Sequence, residues 1–134
     1  MSETPPPPPP PVAPQAPMSD AEARSQAKLT HIVNGFFPLL GGLIFWLIYK
    51  DRSEFMDDQG KEATNFGIMV AAGFLILNIA FFIIGLVIPF IFLISWLVIL
   101  GFWIYSIYMG FQAGNKAGEG ERYRYPVLPV RLIK

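Results

Sequence analysis

The side chains that could do chemistry in this 134-residue chain are few, and His31 is its only histidine. An imidazole titrates near neutral pH and can act as a base, a hydrogen-bonding group or a metal ligand. Because the chain has no second histidine and no cysteine, a histidine-based metal site within one copy is excluded. His31 stands just before a long apolar stretch, and we interpret it as an interfacial hydrogen-bonding residue.

A second group of ionisable side chains lies between Lys50 and Glu62 (KDRSEFMDDQGKE), where both signs of charge are mixed. The carboxylates of this loop are Asp51, Glu54, Asp57, Asp58 and Glu62. They could bind a cation, but their spacing matches no calcium-binding loop. We interpret them as a solvated acidic cluster, in which Asp57 or Asp58 caps the following helix.

The rest of the chain is too apolar for a water-soluble enzyme. Only 15% of the residues are charged and 53% are hydrophobic, whereas a soluble domain is normally about a quarter charged. The run from Ala63 to Asn115 contains no Asp, Glu, Lys, Arg or His. Active sites within membranes depend on ionisable residues held in the bilayer, so we predict a non-catalytic membrane protein without a cofactor. The zero net charge, with no basic face, also argues against nucleic acid as a partner.

The elements that would hold these residues are apolar helices. The sequence predicts an all-α membrane protein with three transmembrane helices at about 29–49, 63–88 and 90–111, the last two joined by a hairpin turn. A short amphipathic helix, too polar to be buried, precedes them and begins at Ser19 with a capping box. Because Pro38 and the following glycine pair should kink the first span, a reentrant or two-piece first segment is an open alternative.

Two polar segments flank this membrane domain, which we place at 19–114. Residues 1–18 form a proline-rich tail that is disordered or polyproline II, serving as a solvated extension or, alternatively, as a docking site. Residues 115–134 form a second tail, in which Pro126 and Pro129 exclude a regular helix. Its apolar residues are expected on the membrane surface or against a partner.

The distribution of Lys and Arg predicts the orientation of the chain. With three spans, eight of the ten cations share the side of the carboxyl end, whereas Arg24 and Lys28 share the side of the amino end. Because cytoplasmic loops are enriched in Lys and Arg, the carboxyl end is predicted to be cytoplasmic in a bacterial plasma membrane. A reentrant first segment would move the amino end to the same side.

Small residues indicate where helices could pack closely. Ala63, Gly67 and Ala71 recur every four residues on one face of the second span, and Gly110 and Gly114 form a GxxxG pair in the third. Polar residues within the spans are expected to form hydrogen bonds between helices. The predicted partners are therefore the lipid bilayer and other membrane subunits or further copies of this chain.

Several short motifs together resemble the bacterial Tic-like membrane proteins, relatives of a subunit of the chloroplast inner-envelope import translocon. The residues concerned are His31, Pro38, Trp46, Lys61, Glu62, Asn65, Phe66, Tyr125 and Pro126. The resemblance implies the same helical architecture. Asn65, at the start of the second span, is expected to form a hydrogen bond to a neighbouring helix or to the tail segment YRYP. The plastid member is proposed to contribute to a protein-conducting pore, and the bacterial relatives lack a settled function. An accessory or scaffold subunit is therefore the first interpretation, and a transport component that forms a path as an oligomer is the alternative.

Overall fold

The computed structural model describes residues 3–10 and 16–134, and the described part is helical. Its elements are α1 (Asp20–Phe36), α2 (Leu40–Tyr49), α3 (Glu54–Val87), a single 3-10 turn (Pro89–Ile91) and α4 (Phe92–Gly118). Residues 3–10, within the predicted proline-rich tail, are exposed and belong to no helix. The rest of that prediction falls partly on residues 1, 2 and 11–15, which lie outside the described part of the chain.

The predicted first span consists of two helices that fold back on each other. The cap at Ser19 is found as predicted, since its Oγ accepts a hydrogen bond from the backbone N–H of Glu22 at 3.2 Å. The helix that follows continues to Phe36 and stops before Pro38, and Leu39 then adopts a left-handed backbone with φ of 74°. This conformation is costly for a non-glycine residue, and it reverses the chain into α2.

The two ends of this helical hairpin lie on the same side of the molecule. The backbone N–H of Met18, just before α1, donates to the carbonyl of Arg52, just after α2, at 3.0 Å. The 10 residues of α2 extend over only about 15 Å, which is too short to cross a bilayer. The three-span count is therefore not confirmed, and the first segment consists of two pieces, which was the open alternative.

The long antiparallel pair α3 and α4 forms the rest of the fold. Its first helix begins at Ser53, whose Oγ accepts from the N–H of Met56 at 3.3 Å. The predicted cap at Asp57 or Asp58 is therefore wrong, because the supposed loop already belongs to the helix from Glu54 onward. The turn between α3 and α4 occurs where Ile88 precedes Pro89, as predicted, since a residue before proline disfavours helical backbone.

Glycines allow α1 and α4 to approach closely. A Cβ at Gly110 would lie 2.6 Å from the carbonyl oxygen of His31, and one at Gly114 would lie 2.8 Å from that of Lys28. The GxxxG pair thus packs against the backbone of α1 within the same chain. The expectation that the amino-terminal helix is too polar to be buried is also wrong, because Ala23 and Ala27 on its inner face are buried.

The small residues of α3 pack against the α1–α2 hairpin. A Cβ at Gly67 would collide with the backbone of Leu39 at the reversal, and a Cβ at Gly42 would lie 2.8 Å from the backbone nitrogen of Thr64. Ala63 is buried in the same face, whereas Ala71 is only half-buried. The stripe therefore serves contacts within one chain over most of its length.

These contacts divide the molecule into a head and an arm. The head comprises α1, α2, residues 54–70 of α3, residues 106–118 of α4 and the tail 119–134; the arm comprises residues 71–105. No charged residue lies within 63–115. Because α3 and α4 are antiparallel, the charged residues of the described helices and of the tail therefore all lie in the head. In the most apolar windows of the long helices only 11% and 6% of residues are buried. Such a bare apolar surface suits hydrocarbon rather than water.

Both long helices are long and apolar enough to cross a membrane, by their length and composition. The 34 residues of α3 extend over about 51 Å at the usual helical rise. This exceeds the roughly 30 Å of a bilayer's hydrocarbon core. The amino-terminal part of α3, which lies in the head, must therefore project from the hydrocarbon if the arm spans it.

Candidate functional site

The centre of the head is a fully buried polar network around His31 of α1. Its Nδ1 lies 2.8 Å from the hydroxyl of Tyr125, and its Nε2 lies 2.9 Å from Oε1 of Gln59. The amide of Gln59 is oriented by its Nε2, which donates to Asp58 at 2.7 Å. An amide oxygen only accepts hydrogen bonds, so Nε2 of His31 carries the proton and Nδ1 accepts from the tyrosine.

The position of Tyr125 follows from the turn that it begins. The N–H of Leu128 donates to the carbonyl of Tyr125 at 3.3 Å, and Pro126 occupies the position after Tyr125, where proline favours a β-turn. The ring is only 1% exposed and stacks on Phe66 of α3 with centroids 4.0 Å apart. The tail thus inserts an aromatic side chain between α1 and α3, so that its hydroxyl meets the imidazole.

Glu62 holds the backbone and a side chain of the tail against α3. This carboxylate is 2% exposed and accepts the N–H of Tyr125 at 2.7 Å. Arg131 donates to both of its oxygens, from Nε at 2.7 Å and from Nη2 at 2.8 Å. Buried carboxylates are tolerated when paired in this bidentate manner, so the pair fixes the tail.

Asn65 extends the attachment toward the chain end. Its side chain donates to the carbonyl of Ile133 and accepts from the N–H of the same residue, both at 2.8 Å. The amide therefore satisfies the backbone N–H and C=O of Ile133, a residue that belongs to no helix or strand. Asn65 was expected against a neighbouring helix or YRYP; it binds the tail, at Ile133.

A second set of polar contacts joins α2 to α3. The indole Nε1 of Trp46 donates to Oδ1 of Asp57 at 2.8 Å, and Lys61 donates to Oδ2 of the same carboxylate at 2.7 Å. Nearby, the Asn34 side chain bridges three helices, donating to the carbonyl of Ala63 at 2.7 Å and accepting from the N–H of Gly42 at 2.8 Å. These bonds hold the α1–α2 hairpin on α3.

Burial determines how the network titrates. Desolvation lowers the pKa of His31 from 6.5 to about 4, although its bond to Gln59 and the charge of Glu62 act in the opposite direction. Burial likewise raises the pKa of Tyr125 well above its usual value. Both groups are therefore neutral at physiological pH. This agrees with the hydrogen bonds of His31, in which Nε2 donates and Nδ1 accepts.

The hydrogen bonds of this network are those of a structural element that holds the helices and the tail together. Within residues 3–10 and 16–134, every buried side-chain nitrogen and oxygen has a hydrogen-bond partner, and no cluster of three or more His, Cys, Asp or Glu suits a metal ion. The imidazole faces two protein partners rather than a cavity. Both ring nitrogens of His31 are thus engaged within the protein.

The predicted site residues fall into separate groups. His31, Glu62 and Phe66 meet at Tyr125 of the tail, and Asn65 binds the same tail at Ile133. Pro126 follows Tyr125 and is exposed, and Lys61 lies beside Glu62. Trp46 lies at the α2–α3 contact, whereas Pro38, Gly67 and Ala71 lie at or beyond the hairpin reversal. His31 has the hydrogen-bonding role that was predicted for it, but it is buried rather than interfacial.

Several members of the network were missed by reasoning from the sequence. Gln59 and Asp58 were assigned to a wet loop. Arg131 was counted only for orientation, and Arg124 only for orientation and as part of the YRYP motif. A signal existed for Gln59, because it shares a helical face with Glu62, Phe66 and Val70 at spacings of three, seven and eleven residues. No comparable local signal links the tail arginines to α3.

Comparison with known proteins identifies a family. A model of the magnetosome magnetite crystal formation protein family (MamF/MmsF) matches residues 22–133. The match covers most of the chain, which therefore belongs to this family, and the proposed resemblance to Tic-like proteins is wrong. No curated protein and no solved structure matches the chain.

Proposed function

We propose that this member of the MamF/MmsF family is a non-catalytic accessory protein of the magnetosome membrane that acts in magnetite crystal formation. The observation that carries the proposal is the bare apolar arm beneath a fully hydrogen-bonded head. The arm embeds the chain in the bilayer as a two-helix hairpin. The head, held together by Glu62 and Arg131, presents a folded surface to partners.

The charge distribution favours a cytoplasmic head. The ten Lys and Arg residues all belong to segments at the head end of the helices. The opposite end is the uncharged turn around Ile88, where Val87 is 82% exposed. Lys and Arg are retained on the cytoplasmic side of membranes, so both chain ends are proposed to lie in the cytoplasm and the turn to face away from it.

This orientation restricts how the chain can act on a crystal. The side away from the cytoplasm would present only apolar side chains, among them Val87 and Phe90, which offer no oxygen ligand to iron. The proposed action therefore runs through the membrane and through other subunits or further copies of this chain. Apolar side chains exposed on the α1–α2 hairpin, such as Ile44 and Leu47, lie at the level where such neighbours or lipid would meet the head.

The topology can be tested by labelling, because the chain contains no native cysteine. Single cysteines are placed at Met18, Lys116 and Val87, and isolated magnetosomes are treated with a membrane-impermeant maleimide. We expect Met18→Cys and Lys116→Cys to react at once and Val87→Cys to react only after detergent is added. Reaction of the first two from opposite sides would restore a third crossing and refute the two-span hairpin.

The role in crystal formation needs a separate test in cells. A strain that lacks this chain is complemented with the wild-type chain or with Ile79→Lys, which places a charge in the exposed middle of the arm. We expect altered crystal size without the chain, restoration by the wild type and no restoration by the variant, because a charge there is costly in hydrocarbon. Unchanged crystals in the deletion strain, measured by electron microscopy, would refute the proposed function.

A further inference from the structure

A cavity of about 210 Å³, lined mainly by charged residues, opens between α3 and the carboxyl tail. Cations outnumber carboxylates in its wall by four to two. The lining residues are Asp58, Lys61, Glu62, Asn65, Arg124, Arg131, Ile133 and Lys134. It is thus a predominantly basic cavity, in a protein whose net charge is zero.

The two carboxylates of the cavity are already engaged, and their engagement positions the arginines. Both oxygens of Glu62 accept from Arg131, and both oxygens of Asp58 accept from Arg124. A guanidinium has more N–H donors than these bonds use. Within the described part of the chain, Nη1 of Arg131 and Nε of Arg124 remain available to an anion.

The lysines add charge without the same constraint. Lys61 donates to Asp57, but an ammonium has further N–H donors. Lys134 makes no hydrogen bond or ion pair with the residues that the structure describes. Two arginines and two lysines around one small cavity match the tetrahedral oxygens of a phosphate, which arginine and lysine both bind.

The position of the cavity along α3 indicates which kind of molecule would supply that phosphate. Lys61 and Glu62 are the last charged residues of α3 before its apolar run, and Asn65 lies one turn further along. Ile133 lines the same cavity, and the neighbouring tail residues Val130 and Leu132 are 62% and 69% exposed. A basic cavity beside exposed aliphatic side chains, at the end of a hydrophobic helix, suits the border between lipid headgroups and acyl chains.

We propose that this cavity binds the phosphate of an anionic phospholipid. Arg124, Arg131, Lys61 and Lys134 surround the phosphate, and Val130 and Leu132 contact its acyl chains. Bound lipid would bridge the tail to the bilayer at the point where α3 enters it. The inference rests on the proposed embedding of the arm, which places the cavity at the membrane surface.

The test uses the full-length chain in mild detergent, titrated with phosphatidylglycerol or phosphatidylcholine and followed by native mass spectrometry. We expect phosphatidylglycerol to bind more tightly. Lys134→Gln should weaken that binding about fivefold, the contribution of one basic residue at a membrane surface. Lys116→Gln is the matched control, because it removes the same charge from the head but does not line the cavity, and it should leave the affinity unchanged.

Three other outcomes would overturn the assignment. Equal binding of the two lipids would show no anion site, and equal losses for Lys134→Gln and Lys116→Gln would show unspecific attraction to the head. Displacement of phosphatidylglycerol by millimolar inorganic phosphate would assign the cavity to free phosphate. Vesicle flotation separates the two proposals: a chain that floats with no vesicle refutes the membrane arm, whereas one that floats with vesicles but binds phosphatidylglycerol and phosphatidylcholine equally refutes only the cavity.

Discussion

Acidification should destabilise the head, because His31 is buried as the neutral imidazole. Its pKa falls from 6.5 to about 4 on folding, so between these values the unfolded chain binds a proton that the folded chain does not. The free energy of unfolding must then decrease as the pH is lowered through this window. Below pH 4 the folded protein is protonated as well, and the decrease from this residue ends.

The magnitude follows from the size of the pKa difference. At about 1.4 kcal/mol per pH unit, the shift of His31 to about 4 corresponds to a loss of up to about 3 kcal/mol. A geometric change accompanies it, since a proton on Nδ1 would face the hydroxyl of Tyr125, which now donates to that nitrogen. The hydroxyl would have to rotate, and its own hydrogen would lose its acceptor in a buried site.

The assay compares the wild type with His31→Gln in detergent, following unfolding by tryptophan fluorescence at pH 7.0 and pH 4.5. Other groups titrate in both proteins, so the difference between the two pH profiles isolates the imidazole. We expect the variant to be less stable at pH 7.0, yet to lose about 2–3 kcal/mol less than the wild type on acidification. Parallel pH profiles would refute the reasoning, and circular dichroism at pH 7.0 checks that the variant is folded.

Two further predictions concern packing and the tail. Gly67→Leu should destabilise the protein by about 3 kcal/mol or more, because its Cβ would collide with the backbone of Leu39. Gly101→Leu is the control and should be tolerated, because the space around its Cβ is open. Equal thermal stabilities of the two variants would contradict the contact between α3 and the α1–α2 hairpin. Tyr125→Phe should cost about 1–3 kcal/mol by leaving Nδ1 of His31 without its donor, and an unchanged denaturation midpoint would show that this bond contributes nothing.

The arm and its ends were predictable from the sequence because their causes are local. An uncharged run, a proline after Ile88 and a capping serine each act within a few residues. The same local information suggested a break at Pro38. It could not give the direction of the chain after the break, which depends on contacts of Leu39 with Gly67 and of Asn34 with Ala63.

The head network was beyond sequence reasoning because its partners are far apart along the chain. His31 and Tyr125 are separated by 94 residues, and Glu62 and Arg131 by 69. Neither pair belongs to a helical or strand repeat that would predict its meeting. The residues were recognised singly, as polar groups near an apolar run, but their shared site depends on the tail folding back over α3.

The engagement of the head carboxylates bears on how a chain of this family can influence a crystal. Asp57 is bound by Trp46 and Lys61, and Asp58 is bound by Arg124. An iron cation at either carboxylate would compete with cationic groups that already hold it, and would weaken the attachment of α2 or of the tail. Asp57 and Asp58 therefore act as internal supports rather than as ligands of a mineral. The proposed function therefore rests on the membrane arm and on partners of the head, and not on a mineral contact at these two carboxylates.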